Sequence, residues 1–192
     1  MTPFEFVLAL ISVITSLALT KIITGVVSII RHNDRHDFSL THALWIWVAF
    51  AVVIGNWGSL WGERSISDWH AFRLFVWLVS MASLYAFCAL VIPDFEQGDR
   101  LSLKKFHERD APRYIIAHNV FALMAILLLI AQGDFARHSA LKFAPPVIAL
   151  ALGTVAFFTR GRSQLAASIL LSLLAVVFMF ANISILSSAE FH

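Results

Sequence analysis

The chain has 192 residues, of which 59% are hydrophobic and 14% charged, with a mean hydropathy of +0.81; a soluble domain runs nearer about 45–50% apolar and about 25% charged. A soluble fold of this length would expose a large apolar surface, so composition excludes an ordinary soluble enzyme, a nucleic-acid-binding domain and a disordered chain. Lys and Arg outnumber Asp and Glu only 14 to 12 with no basic arm, and the one cysteine, Cys88, allows neither a disulfide framework nor a thiolate zinc site.

A bilayer core about 30 Å thick requires roughly 20 apolar residues per helix. Six segments meet that length, at about 4–30, 41–61, 69–92, 113–132, 141–159 and 165–188. A lipid-exposed backbone must satisfy its own hydrogen bonds, so each is helical. The solid apolar runs lack the strict alternation of a barrel. The expected fold is all-α: a polytopic transmembrane bundle of six helices forming one domain over 1–192. The first 30 residues do not read as a secretory signal, because they carry Glu5, lack a basic start and hold too long an apolar stretch.

The first span carries Ser12, Ser16, Thr20, Thr24 and Ser28 at spacings of four, with Gly25 beside them. Small residues and hydroxyls at that spacing suit close packing against a neighbour, a hydrated path or a homo-oligomeric face. Lys21 precedes Arg31 by ten residues, about 15 Å along a helix. A charge at that depth is costly and is a functional candidate by default. No carboxylate is expected there, since Asp94 and the other acids belong to the two surfaces. Lys21 is therefore read as neutral, as snorkelling, as bonded to hydroxyls and carbonyls, or as meeting an anionic ligand.

Loop one holds His32 and His36, four apart, which a helical extension would align toward a metal; no third ligand is evident, so no metal is expected. His42 opens the second span. Farther along, Asn56, Ser59 and Glu63 share a helical face. His70, Arg73, Trp77 and Ser80 share a face of the third, where Glu63 or Asp68 is placed to pair with Arg73. Loop three is the longest, at 93–112. Its stretch 100–109 reads as a short surface helix with Leu103 and Phe106 facing lipid. His118 and Asn119 enter the fourth span about 7.5 Å above Arg113. Pro145 and Pro146 read as first-turn prolines of the fifth helix, where a missing N–H costs nothing. Asn182 lies near the end of the sixth.

Two constellations follow. If spans one, two and four touch, Lys21, His42, His118 and Asn119 line an inward-facing cationic or polar cavity, the expected ligand or conduction site. Asn56, Glu63, His70, Arg73 and Asn182 form an outer polar patch. Haem would need two axial imidazoles from facing helices. His42 is too shallow to pair well with His118, so no cofactor is expected. No catalytic residue is expected either: the chain has no Gly-x-Ser-x-Gly elbow, His-Glu-x-x-His motif or P-loop, and no intramembrane carboxylate pair.

Loops one, three and five, with the adjoining helix ends, carry nine cations: Arg31, Arg35, Arg100, Lys104, Lys105, Arg109, Arg113, Arg160 and Arg162. The other side carries four: Arg64, Arg73, Arg137 and Lys142. The positive-inside rule then puts both termini outside, on the periplasmic side of a bacterial inner membrane.

The start Pro3-Phe4-Glu5-Phe6, the run Thr20-Lys21-Ile22-Ile23-Thr24-Gly25, His42-Ala43-Leu44-Trp45, the Trp57 and Trp61 pair, Pro93-Asp94 and Arg109 together resemble a group of uncharacterised bacterial six-helix integral membrane proteins of about 200 residues. The resemblance implies a multi-pass inner-membrane location and transfers no activity or site. The expected function is transport, channel activity or small-ligand binding through the inward cavity. The alternative is a non-catalytic accessory or assembly subunit of a larger membrane complex. The expected partners are the lipid bilayer, a second copy through the Ser/Thr face or that larger complex, and no nucleic acid.

Overall fold

A computed structural model describes residues 3–31, 38–60, 71–94, 102–131 and 142–188. Among the described residues the protein is all-helical. It comprises α1 (Pro3–Arg31), α2 (Leu40–Ser59), α3 (Ala71–Val91), α4 (Leu103–Ala131), α5 (Ala144–Phe158) and α6 (Arg162–Ser188). All but α5 are long and apolar enough to cross a membrane. With 15 residues, α5 extends only about 22 Å.

The boundaries have local causes. Ser39 holds extended dihedrals, and its hydroxyl accepts the His42 amide hydrogen at 3.4 Å, capping α2. Ser102 does the same for the Lys105 amide at 3.3 Å, capping α4. Pro145 and Pro146 stand in the first turn of α5, as expected.

The start of α4 corrects the sequence reading. Residues 103–111 are a continuation of the spanning helix and not a separate surface segment, and Pro112 sits inside the helix. Leu103, Phe106, His107, Asp110 and Ala111 are buried against the bundle, so Leu103 and Phe106 do not face lipid. Proline removes one backbone bond and crowds the preceding turn. Burial of five side chains on the turns before it outweighs that loss.

α2, α3, α4, α5 and α6 close into a ring, each packing on the next and α6 returning to α2. The ring closes tightly at α2 and α6, which run parallel. A β-carbon on Gly58 would lie 3.0 Å from the Asn182 carbonyl oxygen and 3.1 Å from its carbon, so only glycine admits that approach. α1 lies outside the ring, against α3 and α2.

The buried face of α1 is Val7, Ile11, Thr15, Ala18, Ile22 and Gly25. Its hydroxyl stripe is not that face. Ser16, Thr20 and Thr24 are exposed, and each donates to the carbonyl four residues back at 2.7–2.8 Å. The expectation of internal packing through this stripe is corrected. Hydroxyls that bond their own helix gain nothing from burial, whereas the aliphatic stripe beside them does.

Candidate functional site

The interior of the ring follows from two stripes at alternating three- and four-residue spacing. On α2 the stripe is His42, Trp45, Ala49, Val52, Asn56 and Ser59; on α4 it is His107, Ala111, Tyr114, His118 and then Phe121 and Ala125. The two helices run in the same direction, so like levels of each stripe face each other. One half of the interior is filled by rings, and the other half is a cavity.

The filled half lies at the end of the bundle where α4 begins. Trp45, Phe87 and Tyr114 are fully buried there with His42, and His118 is 2% exposed. The rings meet edge to face: Trp45 and His118 at 5.5 Å, Phe87 and His118 at 5.4 Å, Trp45 and Phe87 at 6.0 Å. That geometry sets the positive edge of one ring on the negative face of another. Tyr114 is 5.6 Å from Trp45 and 6.2 Å from His42, so it joins the two ends of the plug.

Directional bonds lock this plug to α6 and α5. The Gln164 carbonyl oxygen can only accept, so His107 Nε2 donates to it at 3.3 Å. His107 Nδ1 is therefore an acceptor, and it takes the Tyr114 hydroxyl hydrogen. The Gln164 amide then donates to the Ala156 carbonyl at 3.1 Å. On the same end of α4, Asp110 accepts from Arg109 and Arg113, each at 2.6 Å.

The cavity occupies the other half, toward the end where α1 starts and α6 finishes. Its volume is about 230 Å³. α2 contributes Val52, Asn56 and Ser59; α3 contributes Trp77 and Ser80; His118 meets it at the level of the plug, and Lys142 stands just before α5. Phe121, Phe178 and aliphatic side chains of α4, α5 and α6 make up most of the wall. Asn56 donates to Met81 Sδ at 3.4 Å, and Ser59 donates to the Asn56 backbone carbonyl at 2.7 Å. The Trp77 indole N–H is buried without a hydrogen-bond partner.

His118 is aimed by its neighbours. Its Nδ1 donates to Asn119 Oδ1 at 3.2 Å on the side facing α5. Gly153 of α5 makes room for that pair. A β-carbon there would overlap Asn119 Oδ1 and lie 2.9 Å from His118 Nδ1. The nitrogen left over for the cavity is Nε2, an acceptor in the neutral imidazole.

The expected inward constellation is not brought together. Lys21 Nζ meets Asp94 Oδ1 at 2.8 Å, with the two side chains 34% and 87% exposed. The expectation that no acid lies at its depth is corrected. α1 runs ten residues past Lys21, and the end of α3 stops at its level, so a residue deep in one helix lies beside the exit of another. His42 is in the plug beside Phe106, Tyr114 and His107, and neither of its ring nitrogens has a hydrogen-bond partner. Asn119 faces α5 on the outside of the ring, beside Val120, Leu123 and Leu150. Only His118 of the four reaches the cavity.

Of the outer patch, Asn56 lines the cavity, with Ser59, Trp77 and Ser80 from the same two faces. Asn182 does not line it; its amide donates to the Phe178 carbonyl at 2.8 Å. Arg73 is in the first turn of α3. Glu63, Asp68 and His70 lie outside the described residues, as do His32 and His36. Among the described residues no group of three or more His, Cys, Asp or Glu side chains is placed to hold a metal ion.

Sequence reasoning passed over His107, Tyr114 and Gln164, and it took Trp45 for a tryptophan at the membrane interface, whereas it is fully buried. The signal was present in the heptad-like recurrence of the α4 stripe. Cutting that helix at Pro112 separated His107 from Tyr114 and His118. Comparison of the chain with protein-family models, with curated proteins and with solved structures returns no match.

Proposed function

We propose that this chain is a small-ligand-binding protein of a bacterial inner membrane, and that the half-ring cavity above His118 is its site. One observation carries the reading. A mostly apolar hollow inside a helix ring, with a few convergent polar groups, is the usual form of a ligand pocket. Here those groups are His118, Asn56, Ser59 and Ser80. A packed interior tolerates few voids of this size. Transport through the same hollow would require the plug of Trp45, Tyr114 and Phe87 to part, so binding is the simpler activity.

All six helices then lie in the bilayer. The short α5 reaches across only part of it. The nine-to-four cation asymmetry puts both termini outside. The cavity accordingly opens toward the periplasm, and not inward.

The test is native mass spectrometry of protein released from its own membranes in mild detergent. The wild type is expected to retain a small molecule. The variant Ala125→Phe, which fills the hollow from α4, is expected to fold and lose it. A wild type that carries nothing, or a filled variant that carries the same adduct, refutes the site. Orientation is tested separately by labelling Lys104→Cys, since Lys104 is exposed and Cys88 is buried. Labelling from the periplasm would reverse the topology.

The exposed hydroxyl stripe of α1 favours a second reading, an accessory subunit that meets a neighbour through that face. It predicts a heteromeric mass in the same spectrum, with no retained small molecule.

A further inference from the structure

A second hollow lies outside the ring, between α1 and α2. The stagger of α1 against α3 creates it. Gly25 presses so closely on Ile92 that a β-carbon there would overlap that side chain. α3 ends at Val91, so the last turns of α1 run on past it with the start of α2 across from them. The resulting groove has a volume of about 630 Å³. Ile22, Val26 and Ile30 form one wall, Ala43 and Phe50 the other, and Leu103, the first residue of α4, adjoins them. From Ile22 to Ile30 it runs about 12 Å along the helix, over a third of a hydrocarbon core about 30 Å thick. The lining is apolar. His42 reaches it, but both of its ring nitrogens are buried, so it offers only carbon.

The rim of this groove is cationic. Arg31 follows Ile30, and Lys104 and Lys105 follow Leu103; all three are exposed. None of them is in an ion pair among the described residues, where the pairs at this end are Lys21 with Asp94 and Asp110 with Arg109 and Arg113. Glu108, exposed one turn along α4, pairs with none of the three. With Lys21 set against Asp94, the whole end of the chain carries the nine cations counted above and six carboxylates: Asp34, Asp37, Glu96, Asp99, Glu108 and Asp110. The first four of these acids lie outside the described residues.

A concave apolar wall touches a hydrocarbon chain on several sides and gains more dispersion contacts than a flat helix face does. Unpaired cations at its mouth select the charge of the head that the chain carries. A second copy of the protein fits the groove poorly, because both copies share one orientation in the bilayer and the same three cations would face each other. We infer that the groove is a site for one anionic phospholipid. An acyl chain lies between α1 and α2, and the negatively charged head meets Arg31, Lys104 and Lys105. This site is separate from the ring cavity and does not depend on the cavity's being a binding site.

The experiment places the full chain in nanodiscs of equal parts phosphatidylglycerol and phosphatidylcholine with matched acyl chains. Native mass spectrometry then identifies the lipid that stays bound as collision energy rises. We expect one phosphatidylglycerol to be held last, about tenfold over phosphatidylcholine, since each exposed cation is worth about two- to fivefold. Combining Arg31→Gln, Lys104→Gln and Lys105→Gln is expected to bring that ratio close to equality. Ala43→Phe, which fills the groove from α2 and leaves the cations intact, is expected to lose the retained lipid. Ala125→Phe, which fills the ring cavity, is expected to keep it.

Equal retention of the two lipids by the wild type overturns the selection for an anionic head. A phosphatidylglycerol preference that persists in both Ala43→Phe and Ile30→Trp overturns the groove and assigns the preference to surface charge alone. Loss of the lipid in Ala125→Phe with retention in Ala43→Phe places it in the ring cavity and overturns the inference as well. A dimer without retained lipid puts a second copy on this face, with the same consequence. The wild-type ratio needs no variant, so it decides the head charge even where the triple variant fails to fold.

Discussion

Gly153→Ala tests the geometry that aims His118. The new β-carbon would overlap Asn119 Oδ1 and stand 2.9 Å from His118 Nδ1 and 3.1 Å from Asn119 Cγ. Favourable carbon contacts begin at about 3.5 Å, so Asn119 must swing away and break its 3.2 Å bond to His118. The lost bond costs about 1 kcal/mol, or about 0.6 by the average for bonds inside membranes. A displaced rotamer adds about 0.5–1.5 kcal/mol, and residual crowding adds about 1. Against these, alanine gains about 1 kcal/mol over glycine within a helix. The net cost is then about 1–2.5 kcal/mol. Asn119→Ala removes the colliding oxygen, so in that background Gly153→Ala is expected to be neutral or stabilising. The helix-propensity gain is common to both backgrounds and cancels in the cycle. Unfolding of the four proteins in mixed detergent micelles should therefore give a coupling of about 2–3 kcal/mol, with the double variant more stable than the sum of the singles predicts. Effects that add within about 0.5 kcal/mol would refute the close approach of α4 and α5 at this level.

Two further expectations concern the plug and the ion pair. Tyr114→Phe removes the donor to His107 Nδ1 and leaves a buried acceptor unpaired, so thermal unfolding in micelles should show a loss of about 1–3 kcal/mol. Adding His107→Leu should cost less than a second independent loss, and strict additivity would show that the two side chains do not meet. The Lys21–Asp94 pair is largely exposed, so a cycle of Lys21→Met and Asp94→Asn should give less than about 1 kcal/mol of coupling. A coupling above about 2 kcal/mol would mean the pair is desolvated and that Lys21 lies deeper than its partner's exposure indicates.

Much of the fold was legible in the chain because apolar length is a one-dimensional property. The long runs around Leu10, Val48, Leu84, Leu127 and Leu174 are each helical by the demands of a backbone without water. Their ends were legible where a cap or a proline marks them, as at Ser39 and at Pro145 and Pro146. The stripe Asn56 and Ser59 on one helix, and Trp77 and Ser80 on the next, could also be read as shared faces, and both face the cavity.

Three matters depended on how the helices stack. Pro112 signals a helix start locally, yet burial of Phe106, His107 and Asp110 carries α4 past it, and only the packed bundle supplies that burial. Lys21 is mid-helix by count, but the stagger of α1 against α3 brings it level with Asp94. By count alone His118 and Asn119 stand about 7.5 Å, and Lys21 about 15 Å, from the same end of the bundle, whereas the ring order turns His118 inward, Asn119 toward α5 and Lys21 outside altogether. Depth along a helix follows from residue number; azimuth and stagger between helices follow from which faces pack, and those are decided by contacts among residues far apart in the chain.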